Sequence, residues 1–249
     1  MAYSFNGSSN YMQSASSVAF NAACTDVSLW FWVDPATLSD TIVFEYFNGS
    51  NFNALWTLGV KSGGNDLLYL RHNGGGGNDA YTYPFGVSPN PLYSIWHHLI
   101  VNHIWNAAAG GEITAYLDGS FITLTNTAGA NSLSPFNDTA PVTLGRRISG
   151  SLYFTGRIAE VAMYAGAASL TSGNVAALWN GGSGEVATNV SGGSLKNYWP
   201  LCNNGVATTG GIDLNITGAT QVAGHPVVAA SCADPVTGTP DPLMAASVM

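Results

Sequence analysis

Apolar residues recur at every second position through most of this chain, and glycine, asparagine or proline interrupts them about every 8–12 residues. A side-chain period of two belongs to the pleated strand, so each such run can bury one face against a neighbouring layer. Many short strands build a core by stacking two sheets, and the pattern therefore predicts an all-β sandwich of antiparallel sheets. The runs place strands at 3–5, 11–13, 27–33, 41–46, 54–60, 67–71, 80–83, 95–104, 113–117, 120–124, 142–144 and 156–164.

Two of these runs are apolar on both faces. In 95–104 the alternation sets His98, Ile100, Asn102 and Ile104 against His97, Leu99, Val101 and His103. In 27–33 it sets Trp30 and Trp32 against Leu29, Phe31 and Val33. Both are expected centrally in a sheet. Between 113 and 124, Asp118-Gly119 joins two alternating runs, as a two-residue type I′ turn with glycine at a positive φ would. One segment departs from the β pattern. Across 169–179, Leu170, Val175, Leu178 and Trp179 fall near one helical face, Thr171 or Ser172 is placed to cap, and Gly181-Gly182 to terminate. Gly173 inside it predicts a short helix.

Charge narrows the function classes. Lys and Arg number 6 against 14 Asp and Glu, a net charge of −8, and charged residues are only 8% of the chain. No Lys or Arg lies between Arg71 and Arg146, so a phosphate-tracking stripe is excluded and no nucleic-acid partner is expected. No apolar run approaches the ~20 residues of a membrane-spanning helix, and no membrane partner is expected. The opening Met1-Ala-Tyr-Ser-Phe-Asn-Gly lacks the basic start and apolar run of a secretory leader, so the chain is expected to fold where it is made. Cys24, Cys202 and Cys232 are too few and odd in number for a disulfide scaffold and read as buried or incidental thiols. The clusters at 62–65, 74–78 and 180–184 read as loop tips. Residues 225–249, spaced by Pro226, Pro235, Pro240 and Pro242, have no period and read as an extended C-terminal tail.

The order of several pieces carries a resemblance. Phe5-Asn-Gly-Ser-Ser-Asn-Tyr-Met, Ser28-Leu-Trp-Phe-Trp, Trp96-His-His-Leu-Ile-Val, Ala115-Tyr-Leu-Asp-Gly-Ser, Leu144-Gly-Arg, Phe154-Thr-Gly-Arg-Ile-Ala-Glu-Val-Ala-Met-Tyr and Ser169-Leu-Thr follow one another over residues 1–182. This resembles laminin-G-like domains of the concanavalin A-like lectin/glucanase superfamily. The resemblance implies a jelly-roll sandwich. Leu195-Lys-Asn-Tyr-Trp-Pro-Leu, the stretch from Gly211 to Thr220 and Gly224-His-Pro resemble the closing segment of laminin-G-like proteins of tailed bacteriophages. That implies a domain over 1–224, closed by 195–224, with 225–249 as an assembly arm. It also implies a non-enzymatic virion protein, made in the host cytoplasm, that decorates or cements the capsid as a homo-oligomer against the major capsid protein or other virion proteins. The alternative is a carbohydrate-binding adhesin, receptor-binding or fibre-associated, with a glycan partner.

The residues that could carry chemistry give no catalytic, cofactor or metal site to name. Glucanases of this fold use a Glu-x-Asp-x-x-Glu strand; here Glu112 and Asp118 stand six apart, with Asp118 in a turn, so no enzyme is expected. The carboxylate that laminin-G-like relatives offer calcium would fall at Ala159, and Glu160 is expected on the opposite face. Calcium elsewhere could be held by carbonyls with an Asp such as Asp26 or Asp118, and no cofactor is assigned. His97 and His98 point apart, and His97 and His103 lie about 20 Å apart on a strand, too far for one metal shell; His72 and His225 are isolated in sequence. Trp56, Tyr69, Tyr81, Tyr83 and Trp105 are the aromatics open to stacking on a sugar.

Overall fold

The computed structural model describes residues 1–20, 22–35, 40–47, 55–61, 67–73, 79–85, 92–106, 110–128, 139–148, 150–202 and 205–224. The strands are β1 (Ala2–Asn6), β2 (Tyr11–Ser14), β3 (Val18–Ala19), β4 (Cys24–Val33), β5 (Thr41–Phe47), β6 (Leu55–Lys61), β7 (Leu67–Asn73), β8 (Asp79–Pro84) and β9 (Trp96–Asn106). They continue with β10 (Gly110–Leu117), β11 (Ser120–Ile122), β12 (Thr125–Ala128), β13 (Thr139–Ala140), β14 (Val142–Leu144), β15 (Thr155–Gly166), β16 (Leu195–Trp199), β17 (Leu214–Thr217) and β18 (Thr220–Val222), with one α-helix among the described residues, α1 (Ser172–Trp179), between β15 and β16.

Two eight-stranded sheets form the sandwich. The first runs β11-β10-β9-β4-β15-β1-β18, with β16 also paired to β15; the second runs β12-β8-β7-β6-β5-β14-β2-β17. The ladders between named strands of both sheets are antiparallel. Alternation decides what fills the space between them. Leu29, Phe31, Leu99, Val101 and Ile158 from the first sheet meet Met12, Phe44, Tyr46 and Leu70 from the second in one buried cluster. The two runs that are apolar on both faces, now β4 and β9, lie side by side in the first sheet's interior, as expected. Strands 120–124 end two residues early, and β3, β12 and β13 are short additions that the alternation did not signal.

Asp118 (φ 51°) and Gly119 (φ 74°) both adopt the left-handed conformation that the type I′ turn requires. Helix α1 is short, as Gly173 foretold. The Thr171 hydroxyl accepts from the Asn174 backbone N–H, and the Asn174 side chain reaches back to the Thr171 N–H, a reciprocal cap. At the other end Asn180, rather than a glycine, takes the left-handed cap position.

Residues 195–224 add β16 and β18 to the first sheet and β17 to the second. The Trp199 indole, fully buried, donates to the Ile212 carbonyl at 2.7 Å and ties this segment together. Cysteine requires a correction. Cys24 is a buried thiol, raised in pKa by its burial, but Cys202 is disulfide-bonded, to a partner outside the described residues. An odd count excludes a complete set of pairs, not one pair. The loop clusters at 62–65 and 74–78 and the tail 225–249 lie outside the described residues.

Candidate functional site

The outer face of the first sheet divides into two regions, and the division follows from length. An eight-residue helix spans about 12 Å, whereas the ten residues of β4 span about 33 Å, so α1 can cover only part of the strand it lies across.

Under α1, polar groups are buried and engaged with the chain. Asp26, 1% exposed, accepts from the Ser169 hydroxyl and from the Leu170 N–H at 3.0 Å, holding the helix entry to β4. Burial pushes its carboxyl up to about 7 against the lowering effect of those two donors. Asn102 donates to the Leu170 carbonyl at 3.2 Å. His98 bonds the Ser28 hydroxyl at 2.9 Å and stacks on Trp30, which stacks on Trp179 at the end of α1 with ring centroids 5.2 Å apart. Burial lowers the His98 pKa to about 3, so its ring is neutral.

Glu160 is the clearest correction to simple alternation. The register of β15 against β4 shifts between Ala159 and Ala162, and Glu160 sits in the shift with φ 48°. The inserted residue brings its side chain into the layer outside the sheet, where it accepts from the Tyr198 hydroxyl, rather than to the face opposite Ala159. Burial raises this carboxyl to about 7 as well.

The remaining sequence candidates are dispersed. Both Asp118 oxygens are engaged, Oδ2 with His97 Nδ1 at 2.7 Å and Oδ1 with the His98 N–H at 2.9 Å, so Asp118 braces the start of β9; Glu112 is exposed on β10. His97 packs toward Phe31 and Phe85 on the core side, and His103 meets Thr25. No group of three His, Cys, Asp or Glu suited to a metal occurs among the described residues. Tyr81 is buried, Tyr83 and Trp105 are half-buried, and the side chains of Trp56, Tyr69 and His72, with His225, lie outside the described residues.

Beyond α1, the same face presents a platform that the sequence reading did not single out. The registers place Trp96, Trp32, Arg157, Ser4 and Thr220 side by side across β9, β4, β15, β1 and β18. Trp96, Trp32, Arg157 and Ser4 are half-buried and Thr220 is exposed. The Arg157 guanidinium carbon lies 4.8 Å from the centre of the Trp32 ring. Arg157 has no ion pair among the described residues. The Trp96 indole donates to the Gly224 carbonyl at 2.8 Å. The signal available in sequence was the outward parity of Trp32, Trp96 and Arg157; what hid it was the reach of a helix whose length sequence fixes only roughly.

A second concavity, about 490 Å³, lies on the far side of α1 and is lined by Gly173, Asn174, Ala177, Asn180, Glu185 and Asn189. Its amide donors are already engaged: Asn174 with the Ser191 carbonyl, Asn180 with that of Gly184, and Asn189 with Glu185 Oε1. They hold the loop to the helix.

Two stacked antiparallel sheets with a short covering helix define a lectin-type sandwich. Residues 6–176 match the family model described as the concanavalin A-like lectin/glucanases superfamily, of laminin G type, and the chain belongs to that superfamily. Among solved structures it is similar to the heptameric SAP-like pentraxin of Limulus polyphemus, with a TM-score of 0.54 and 16% identity over 86% of this chain and 94% of that one. The mouse laminin α1 chain, domains LG4–5, gives a TM-score of 0.48 and 17% identity over 65% of this chain and 40% of that one. The receptor-binding domain of a botulinum neurotoxin of mosaic serotype C/D gives 0.45 and 12% over 65% and 37%. At these identities the likeness is one of fold. No curated protein sequence matches the chain.

Proposed function

We propose that this chain is a non-enzymatic binding module that recognises saccharide on the open part of the first sheet's outer face. The observation that carries the reading is the Arg157 guanidinium placed over the Trp32 ring beside Trp96, at the surface of a chain with few charges. An indole face supplies apolar area matching the C–H face of a pyranose, and the neighbouring Ser4 and Thr220 hydroxyls can satisfy ring hydroxyls, the combination of apolar surface and few placed polar groups typical of small-ligand sites. The superfamily membership supports a lectin-type role. A glycan array probed with the full chain tests it. Binding that Trp32→Ala abolishes, with the melting temperature held, is expected; an array without a single saturable hit overturns it.

A second reading places the module on a virion, as a decoration or cement protein of a phage head, with 1–224 as body and 225–249 as assembly arm. The resemblance of 195–224 to phage closing segments supports it. So does the disulfide at Cys202, since disulfides persist on virion surfaces and are rare in reducing cytosol. Capsids stripped of the protein should sediment with the full chain saturably. They should fail to do so with a version ending at Gly224 that also carries Cys202→Ser; equal sedimentation of both would remove the arm's role.

A further inference from the structure

We infer that the platform selects saccharides bearing a carboxylate, a uronic or sialic acid, by pairing the acid group with Arg157 while the sugar ring packs on the part of Trp32 that the guanidinium leaves exposed. The inference rests on the saccharide reading above and names its ligand class.

Four independent registers define the row. Trp32 stands opposite Trp96, Arg157 opposite Trp32, and Ser4 opposite both Arg157 and Thr220. Strands lie about 4.8 Å apart, so the four steps from Trp96 to Thr220 cover roughly 19 Å, enough for a short oligosaccharide. Side chains paired in register project on the same side, which makes these five one surface rather than five neighbours in sequence.

Arg157 distinguishes this row from a plain aromatic platform. The guanidinium carbon lies over the indole at 4.8 Å, a contact that engages the face of a guanidinium and not its N–H donors. Those donors form a fork that matches a carboxylate through two parallel hydrogen bonds. Ser4 on one side and Trp32 on the other are uncharged, so the row provides no internal counter-ion. Arg157 is one of only six cations in a chain of net charge −8, where an anion in bulk solvent is repelled by the molecule as a whole. An acidic ligand is therefore held by one local contact, and its recognition should stand or fall with that side chain. Trp96 bounds the row, its indole nitrogen donating to the Gly224 carbonyl.

The test uses the full chain and two matched pairs of probes in isothermal titration: 3′-sialyllactose against lactose, and trigalacturonic acid against its methyl ester. At least one acidic member should bind about tenfold or more tighter than its neutral partner, the scale of a charge-assisted contact. Which pair responds separates sialic from uronic acid. Arg157→Gln should reduce the preference to within about twofold, and Arg157→Lys, which keeps the charge and loses the fork, should fall between. Trp32→Ala should weaken acidic and neutral members alike. Melting curves of each variant establish that it is folded. A preference that survives Arg157→Gln, or equal binding within both pairs, overturns the carboxylate assignment and leaves saccharide recognition standing. Absence of binding to all four probes and to the array overturns both. A synthetic peptide of residues 225–249 that binds the protein and is released by Arg157→Gln, with no sugar competing, overturns the assignment in favour of the chain's own acidic segment.

Discussion

The two parts of the first sheet's outer face are built from the same strands and differ in what lies over them. Beneath α1, Asp26, Asn102, His98 and Glu160 are buried and joined to the helix entry, to Ser28 and to Tyr198. Beyond the helix, Trp32 and Arg157 stay half-exposed, with the guanidinium over the ring. The covered part is therefore expected to carry stability and the open part recognition, and substitutions can separate the two.

The largest effect should come from Leu178→Ala. Leu178 is 2% exposed in the cluster beneath α1, and its truncation should cost about 3 kcal/mol in urea unfolding through lost burial and a cavity. A loss under about 1 kcal/mol would mean that the helix is an ornament on the sheet rather than part of it. Next is Gly119→Ala. An added Cβ would stand 2.4 Å from Trp179 Cδ1 at a residue with φ 74°, so clash and backbone strain should together cost about 2 kcal/mol and loosen the Trp179 stack. Quenched or red-shifted tryptophan emission would report the loosening.

Protonation gives a smaller effect with a definite sign. Asp26 and Glu160, raised by burial to about 7, keep protons in the native state that the unfolded chain releases near pH 4. Their contribution is full below about pH 4 and is lost as pH rises through 7. His98 and His103, lowered by burial to about 3 and about 4, act oppositely: their contribution is full above about pH 6.5 and is lost as pH falls toward those values. The two pairs offset each other between about pH 4 and 6.5, so stability should be level there, with a decline on the order of 1 kcal/mol from pH 6.5 to 8. Denaturant midpoints across pH measure it. Asp26→Asn combined with Glu160→Gln should abolish the alkaline decline; a decline unchanged in the double variant would place its origin elsewhere. The smallest stability effect belongs to Trp32→Ala, under about 1 kcal/mol because the ring is only half-buried, although this is the change expected to abolish saccharide binding.

Strand parity was legible in the amino-acid order to the level of individual side chains. Leu99 and Val101 face the core and Ile100 the outer layer, as the alternation of 95–104 requires. Two things were not legible. A bulge resets parity by one residue with little compositional mark, and Glu160, which a strict period sends to the other face, stays on the outer one. Coverage is also a property of the whole molecule. Trp30 and Trp32 share a face and a residue type, yet Trp30 is 2% exposed beneath Trp179 and Trp32 lies beyond the reach of the helix. Nothing local to Ser28-Leu-Trp-Phe-Trp distinguishes them. Residue type alone marks Tyr81 as an aromatic open to stacking, and burial removes it from the surface.

The pairing order also sets the timing of assembly on the ribosome. β1 lies between β15 and β18, and β2 between β14 and β17, so the first strands of the sandwich are interior strands whose neighbours are encoded more than a hundred residues later. Such high contact order slows folding and leaves both edges of each early strand unpaired throughout elongation. A nascent chain interrupted before β14 carries open apolar ribbons without partners, the form most prone to intermolecular strand pairing. The architecture thus makes the arrival of β14–β18 the event that commits both sheets to their native pairing.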